Sequence, residues 1–267
     1  MHTLLIVKLG STYPLLSTRI GDFDDWIIEG LQGSTGEIIV VSPPLGQQLP
    51  ASSDIAGIIL TGSHAMATTR EPWSENTAIW IVDALRRNKP ILGICYGHQL
   101  LAHAAGGIVG YNEQGKKFGI AEVTLVQEAE EDPLFQLLPS RFPAHVCHSQ
   151  VVLALPERAI LLAASGHDPH LAFRIGSNAW GVQFHPEFSP AASRAYIEHH
   201  ADELRSEGEN PEEMLRAVRS TPEAGSILRR FRELVLGTIE SPQGMAKQTC
   251  GDSCRPYWDE RKCTAVL

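Results

Sequence analysis

No apolar run in this sequence approaches the roughly 20 residues that span a bilayer; the longest, such as Ile58–Leu60 and Ala159–Ala164, are far shorter. Basic side chains are the minority. The 22 Lys and Arg against 31 Asp and Glu leave a formal net charge of −9. No basic stripe interleaved with aromatics occurs, which argues against a protein whose main task is gripping nucleic-acid phosphates. Cysteine is scarce and odd in number, five in 267 residues. Two of the five, Cys95 and Cys147, lie in apolar, strand-like surroundings, which suits a reducing compartment better than a disulfide framework. The start, Met1-His2-Thr3-Leu4-Leu5-Ile6-Val7-Lys8, lacks a basic leader, and its apolar run is too short for a secretory signal. The expectation is a cytoplasmic protein that binds neither membrane nor nucleic acid. Internal repeats and low-complexity tracts are also missing.

What is present is an ordinary globular composition, 43% hydrophobic and 20% charged, long enough for a sizeable core. Leu4–Val7, Glu37–Val41, Ile55–Leu60 and Ile91–Ile94 are short continuous apolar runs. Such runs, without in/out alternation, suit strands covered on both faces. Between them, Phe23–Leu31 and Ser74–Arg87 carry helical spacing, the second bounded by Pro72 and by Asn88-Lys89-Pro90. Alternation of strand and helix predicts an α/β fold with a mostly parallel sheet. Further on, Ala121–Val126, Val151–Leu155, Ala159–Ala164, Leu171–Ile175 and Trp180–Phe184 read as an antiparallel or mixed extension of that sheet. Helices are expected over Ser193–Leu204 and Pro211–Val235. The domain is placed at 1–238, followed by a Cys-containing tail over 239–267.

The most informative segment is Gly93-Ile94-Cys95-Tyr96-Gly97-His98-Gln99, where a strand runs through Gly-x-Cys-x-Gly into a helix. Flanking glycines permit the tight turn of a nucleophile elbow and clear space around its side chain. At a helix N-terminus the thiol feels a positive end-charge that favours thiolate, and the Tyr96 N–H points where an oxyanion would form. The plainer alternative is a buried core cysteine between incidental glycines. A base is available. Gly181-Val182-Gln183-Phe184-His185-Pro186-Glu187 ends a strand in a His, with a carboxylate two residues on that can hold the imidazole's tautomer. His98 and His103 are five apart and make no metal pair.

These two motifs together resemble the class I (triad) glutamine amidotransferase family, over roughly residues 1–235. Within it the chain is similar to stand-alone members that look like the glutaminase domain of GMP synthase. The resemblance implies a flavodoxin-like, doubly wound scaffold with C-terminal helices and no cofactor or metal. It implies that Cys95 attacks a γ-glutamyl carbonyl to form a thioester, with His185 as base and Glu187 as its orienter. Gly62 and Ser63, where many relatives have Gly-Gly-Pro, match the turn that supplies the second oxyanion donor beside Tyr96; a plain strand-ending turn is the alternative for Gly62. Gln99 matches a position that contacts the substrate's amino-acid head, or is simply a polar residue early in a helix. His148, Ser149 and Gln150 match a segment that holds the same head group, and Cys147 is read as packing.

Two functions fit. One is a free-standing hydrolase of γ-glutamyl amides or peptides, including amine conjugates; the other is a glutaminase subunit that passes ammonia to a separate synthetase. The absence of an acceptor domain after residue 235 is expected to favour the first. The leaving-group pocket is expected near Tyr13, His64–Trp73 and Lys116–Phe118. A cysteine peptidase on the same scaffold would place its His directly after the cysteine, where Tyr96 stands. Cys250, Cys254 and Cys263 make a poor zinc signature without a fourth ligand.

Overall fold

The computed structural model describes residues 3–33 and 36–238. In chain order the strands are β1 Thr3–Val7, β2 Glu37–Val41, β3 Gly57–Leu60, β4 Ile91–Ile94, β5 Ile108–Tyr111, β6 Lys117–Leu125, β7 Arg141–His148, β8 Gln150–Ala154, β9 Ala159–Ala164, β10 Ala172–Ile175 and β11 Ala179–Val182. The helices are α1 Pro14–Ile20, α2 Phe23–Leu31, α3 Pro72–Arg86, α4 Tyr96–Ala104, α5 Pro190–His199, α6 Ala201–Ser206, α7 Pro211–Ala217 and α8 Pro222–Val235.

A nine-stranded sheet runs in the order β2-β1-β3-β4-β11-β10-β9-β6-β7. The first five strands are mutually parallel, and antiparallel pairing begins at β11–β10. The apolar runs are continuous because the sheet is covered on both faces. Leu4, Ile6, Ile59 and Ile94 point into one layer, against Ile27 and Leu31 of α2 and Ile227, Leu228 and Phe231 of α8. Leu5, Val7, Ile58, Leu60 and Ile91 point the other way, onto Ile81 of α3 and Leu100 and Leu101 of α4. This period-2 division of one apolar string between two layers is what a doubly wound sheet requires. Among the described residues no helix is long and apolar enough to cross a membrane.

Several expectations need correction. Of the two readings of the extension the mixed one holds: β11 lies parallel to β4, with Trp180 opposite Leu92 and Val182 opposite Ile94, and antiparallel to β10. The hairpin from β10, turning through Gly176 at φ 58°, inserts β11 between the two halves of the sheet. The strand expected at Val151–Leu155 is β8, which leaves the main sheet and pairs with β5 in a separate two-stranded ribbon. β5 escapes sequence reading because Ile108 and Tyr111 are exposed, at 59% and 61%, and show no burial pattern. β7 escapes it because Pro143, His145 and His148 interrupt its apolar positions. β2 is an edge strand and only partly covered. The two long C-terminal helices are each broken, near His200 and before Pro222, whose missing N–H suits a helix's first turn. The expected tail, with Cys250, Cys254 and Cys263, lies outside the described residues.

Candidate active site

At the end of β4 the backbone turns sharply. Cys95 has φ 50° and ψ −101°, a left-handed conformation that a side chain rarely adopts, and it caps the N-terminus of α4. Both neighbouring glycines are required by contact. A Cβ on Gly93 would lie 2.5 Å from the Gly97 carbonyl oxygen, and one on Gly97 would lie 2.4 Å from that of Leu60. The turn is therefore threaded between β3 and α4 with no room for side chains. Cys95 N–H donates to the Val182 carbonyl at 2.9 Å, tying the elbow to β11. Gly97 N–H is taken up by the Thr61 carbonyl at 3.1 Å, whereas Tyr96 N–H has no backbone acceptor among the described residues. The Tyr96 side chain turns away, to Ser74 Oγ at 2.8 Å.

His185 lies just past β11, its N–H donating to the His145 carbonyl at 2.8 Å. The ring is buried, stacked on Phe188 with centroids 4.1 Å apart, and its Nδ1 meets Glu187 Oε1 at 2.7 Å. Nδ1 is thus committed. Nε2 is buried with no hydrogen-bond partner among the described residues. Burial by itself lowers the imidazole's pKa, but the Glu187 carboxylate and then the Cys95 sulfur outweigh it and raise it to about 10. His145, equally buried and facing His185, is pushed the other way, to about 4, by burial and by that neighbour. The two buried rings are thus shifted in opposite directions.

The loop after β3 closes over this group. A Cβ on Gly62 would lie 3.3 Å from His185 Cε1. Ser63 is pressed on its other side by the β1 loop, where a Cβ on Gly10 would lie 2.5 Å from Ser63 Oγ. Ser63 lines the same depression as Cys95, about 200 Å³, together with Gln99, His148, Ser149 and Gln150. The structure thus brings Ser63, Cys95, Tyr96, Gln99, His148, Ser149 and Gln150 to one depression, with Gly62 beside His185. Their side chains are not equally available, however. Gln99 spends its amide N–H groups on the Gln150 carbonyl, at 2.6 Å, and on Gln183 Oε1, at 3.1 Å, leaving Oε1 to offer. Gln150 is tied at both ends of its amide to Thr68. His148 Nε2 meets buried Asp168 Oδ2 at 3.0 Å, and its Nδ1 is buried without a partner. Cys147 also reaches the depression, but burial and the nearby Cys95 push its thiol pKa well above the usual value.

Asp168 was missed in the sequence. It sits in the Ser165–Pro169 loop, where an acidic residue signals only a turn; its burial is a property of the fold. Burial opposes its ionised form, yet hydrogen bonding to His148 and the charges of His148 and His167 hold its pKa below the ordinary value. His148, His167 and Asp168 bring ligand atoms within 4.8 Å of one another. The donor set does not suit a cation: Asn112 Nδ2 points its N–H groups at His167 Nδ1 and Asp168 Oδ1. Its orientation is fixed by Gln114 N–H, which donates to Asn112 Oδ1 at 2.9 Å. A larger apolar cavity, about 270 Å³, opens at the other end of β4, between Leu85, Lys89, Ala105 and Asn178. Among the described residues, no cysteine, serine or threonine lines it.

Comparison with known proteins agrees with this geometry. Residues 23–203 match the family model described as glutamine amidotransferase class-I. A GMP synthase (glutamine-hydrolysing) of Thermosipho africanus is 35% identical over 191 residues, covering 70% of this chain and 33% of that protein. Gamma-glutamyl peptidase 4 of Arabidopsis thaliana is 33% identical over 147 residues, covering 53% of this chain and 59% of that one. The chain thus matches about a third of the length of its GMP synthase relatives. A crystal structure of a glutamine amidotransferase from Thermotoga maritima superposes with a TM-score of 0.70 at 24% identity, over 88% of this chain and 99% of that one, which shows a shared fold. With the family model spanning both the Cys95 elbow and His185, the chain belongs to the glutamine amidotransferase class I family.

Proposed function

We propose that this protein hydrolyses γ-glutamyl amides through a thioester on Cys95 and acts as a free-standing hydrolase. The observation that carries the reading is the imidazole of His185, buried between Glu187 and the Cys95 sulfur. Cys95 gives its proton to His185 Nε2, and the sulfur bonds to the γ-carbonyl carbon. Charge gathers on the carbonyl oxygen, where Tyr96 N–H and the Gly62–Ser63 backbone are the candidate donors. The C–N bond breaks as His185 returns its proton to the departing amine. Water then attacks the thioester with His185 as base, releasing glutamate and restoring the thiol. Glu187 holds Nδ1 and favours the imidazolium formed in each half. Gln99 and His148 are the side chains proposed to hold the α-amino and α-carboxylate groups, with backbone from Ser149 and Gln150.

The likeness to a gamma-glutamyl peptidase supports a hydrolase, as does room beyond the nucleophile, toward Tyr13, His64 and Phe118. The second reading, a glutaminase subunit that feeds ammonia to a synthetase, is favoured by the longer match to GMP synthases. Purified protein assayed alone for glutamate release separates them. Fast cleavage of γ-glutamyl amides with bulky amines, and slow cleavage of glutamine, is expected; little activity on any of them would support the subunit. Cys95→Ala is expected to abolish turnover with the thermal melting curve retained, and residual activity in a clean preparation would overturn the thioester route.

A further inference from the structure

The depression around Cys95 is lined by two unlike groups of side chains. One is the amide and imidazole set, Gln99, His148 and Gln150. The other is a cluster of rings. Tyr13 is sandwiched between His64 and His199, with centroids 4.4 and 3.7 Å away and interplanar angles of 28° and 25°. Its hydroxyl meets His200 Nε2 at 2.7 Å, and Phe118 packs on His200 at 4.8 Å. His64 is pinned through Nε2 to the Tyr196 hydroxyl at 3.0 Å. Because every ring is held by another, this wall is preorganised rather than adaptable.

The wall's His64 and Tyr13 rings are held in their neutral forms. Burial, then the charges of His200 and His199, push His64 down to about 4, and burial pushes Tyr13 up to about 12. The charges at its rim satisfy one another. Lys116 bonds Glu203 and reaches Glu207 at 3.4 Å, while Glu203 also takes His200 Nδ1 at 2.8 Å. Among the described residues of the rim, no cation is left unpaired for the carboxylate of a departing amino acid, and no carboxylate for an alkylammonium tail. Polar partners for a γ-glutamyl head stand in the other group.

We infer that the ring cluster of Tyr13, His64, Phe118 and His200 receives the amine half of the substrate, and that this amine is an arylamine: flat, apolar and uncharged. The inference rests on the γ-glutamyl amide hydrolysis proposed above. The reaction is a γ-glutamyl arylamide plus water giving glutamate plus arylamine. Cys95 sulfur takes the γ-carbonyl as the C–N bond breaks, the arylamine leaves with the proton held by His185, and water supplies the carboxylate oxygen and the returning thiol proton.

Binding to the full-length Cys95→Ala protein tests this without relying on an anilide's greater reactivity. Calorimetry would compare γ-glutamylanilide, its non-planar counterpart γ-glutamylcyclohexylamide, γ-glutamylalanine and glutamine. The anilide is expected to bind about tenfold more tightly than the other three, the span that edge-to-face ring contacts supply where both faces of Tyr13 are already covered. Tyr13→Leu, added to Cys95→Ala, is expected to cut that advantage to below about threefold. His64→Ala repeats the test should Tyr13→Leu fail to fold. Equal binding of anilide and cyclohexylamide overturns the arylamine assignment, as does an advantage that survives both substitutions. Unmutated protein is assayed in parallel for glutamate release. Cleavage of glutamine with no anilide preference in binding would leave the hydrolase reading standing and remove the subsite. Anilide-selective binding without cleavage of any amide would do the reverse.

Discussion

Two histidines flank Cys95, each buried and each hydrogen-bonded to a buried carboxylate, yet they are built differently. His185 takes Glu187 two residues along the same turn at the end of β11, and its remaining nitrogen is left for the sulfur. His148, at the end of β7, takes Asp168 from a distant loop, which also holds His167 and Asn112. A carboxylate partner is therefore not what makes a base. It holds the ring in both cases; in the function proposed above, the address of the free nitrogen decides whether the ring serves the nucleophile or the ligand.

The comparison can be broken by substitution. His185→Ala is expected to lower kcat/KM by roughly 10² to 10⁴-fold, the span of general acid–base catalysis, measured as initial rates of glutamate release. A loss as large from His148→Ala would make the two rings equivalent and defeat the distinction. Glu187→Gln is expected to cost less, about tenfold, and to act on pH dependence. The carboxylate raises the His185 pKa to about 10, so removing its charge lowers the pH at which the proton is lost. The limb of the kcat/KM profile that His185 sets should move to lower pH; an unmoved limb would mean that Glu187 does not tune the imidazole. His148→Ala is expected to have the smallest effect, raising KM about tenfold with kcat within about threefold, as for a residue that binds without reacting.

Much of this was legible in the sequence for a physical reason. A strand buried on both faces must be apolar at every position, so Leu4–Val7 and Ile91–Ile94 announce themselves. The glycines around Cys95 are legible because two backbones pass within contact distance at each. Glu187 is legible because it lies beside its histidine. What could not be read was assembled from afar. Asp168 reaches His148 across 20 residues, and Tyr13 meets His199 and His200 from the opposite end of the chain. The ribbon of β5 and β8 hides for the opposite reason: one face is exposed, and its apolar residues look scattered.

The left-handed backbone at Cys95 also bears on engineering. A non-glycine residue held at φ 50° and ψ −101° costs of order 1–3 kcal/mol, a cost that glycine would not incur. Cys95→Gly is therefore expected to raise the melting temperature of the protein while leaving it inert. Thermostability screening without an activity filter would enrich that variant, so the proposed nucleophile is also a position the fold holds under strain.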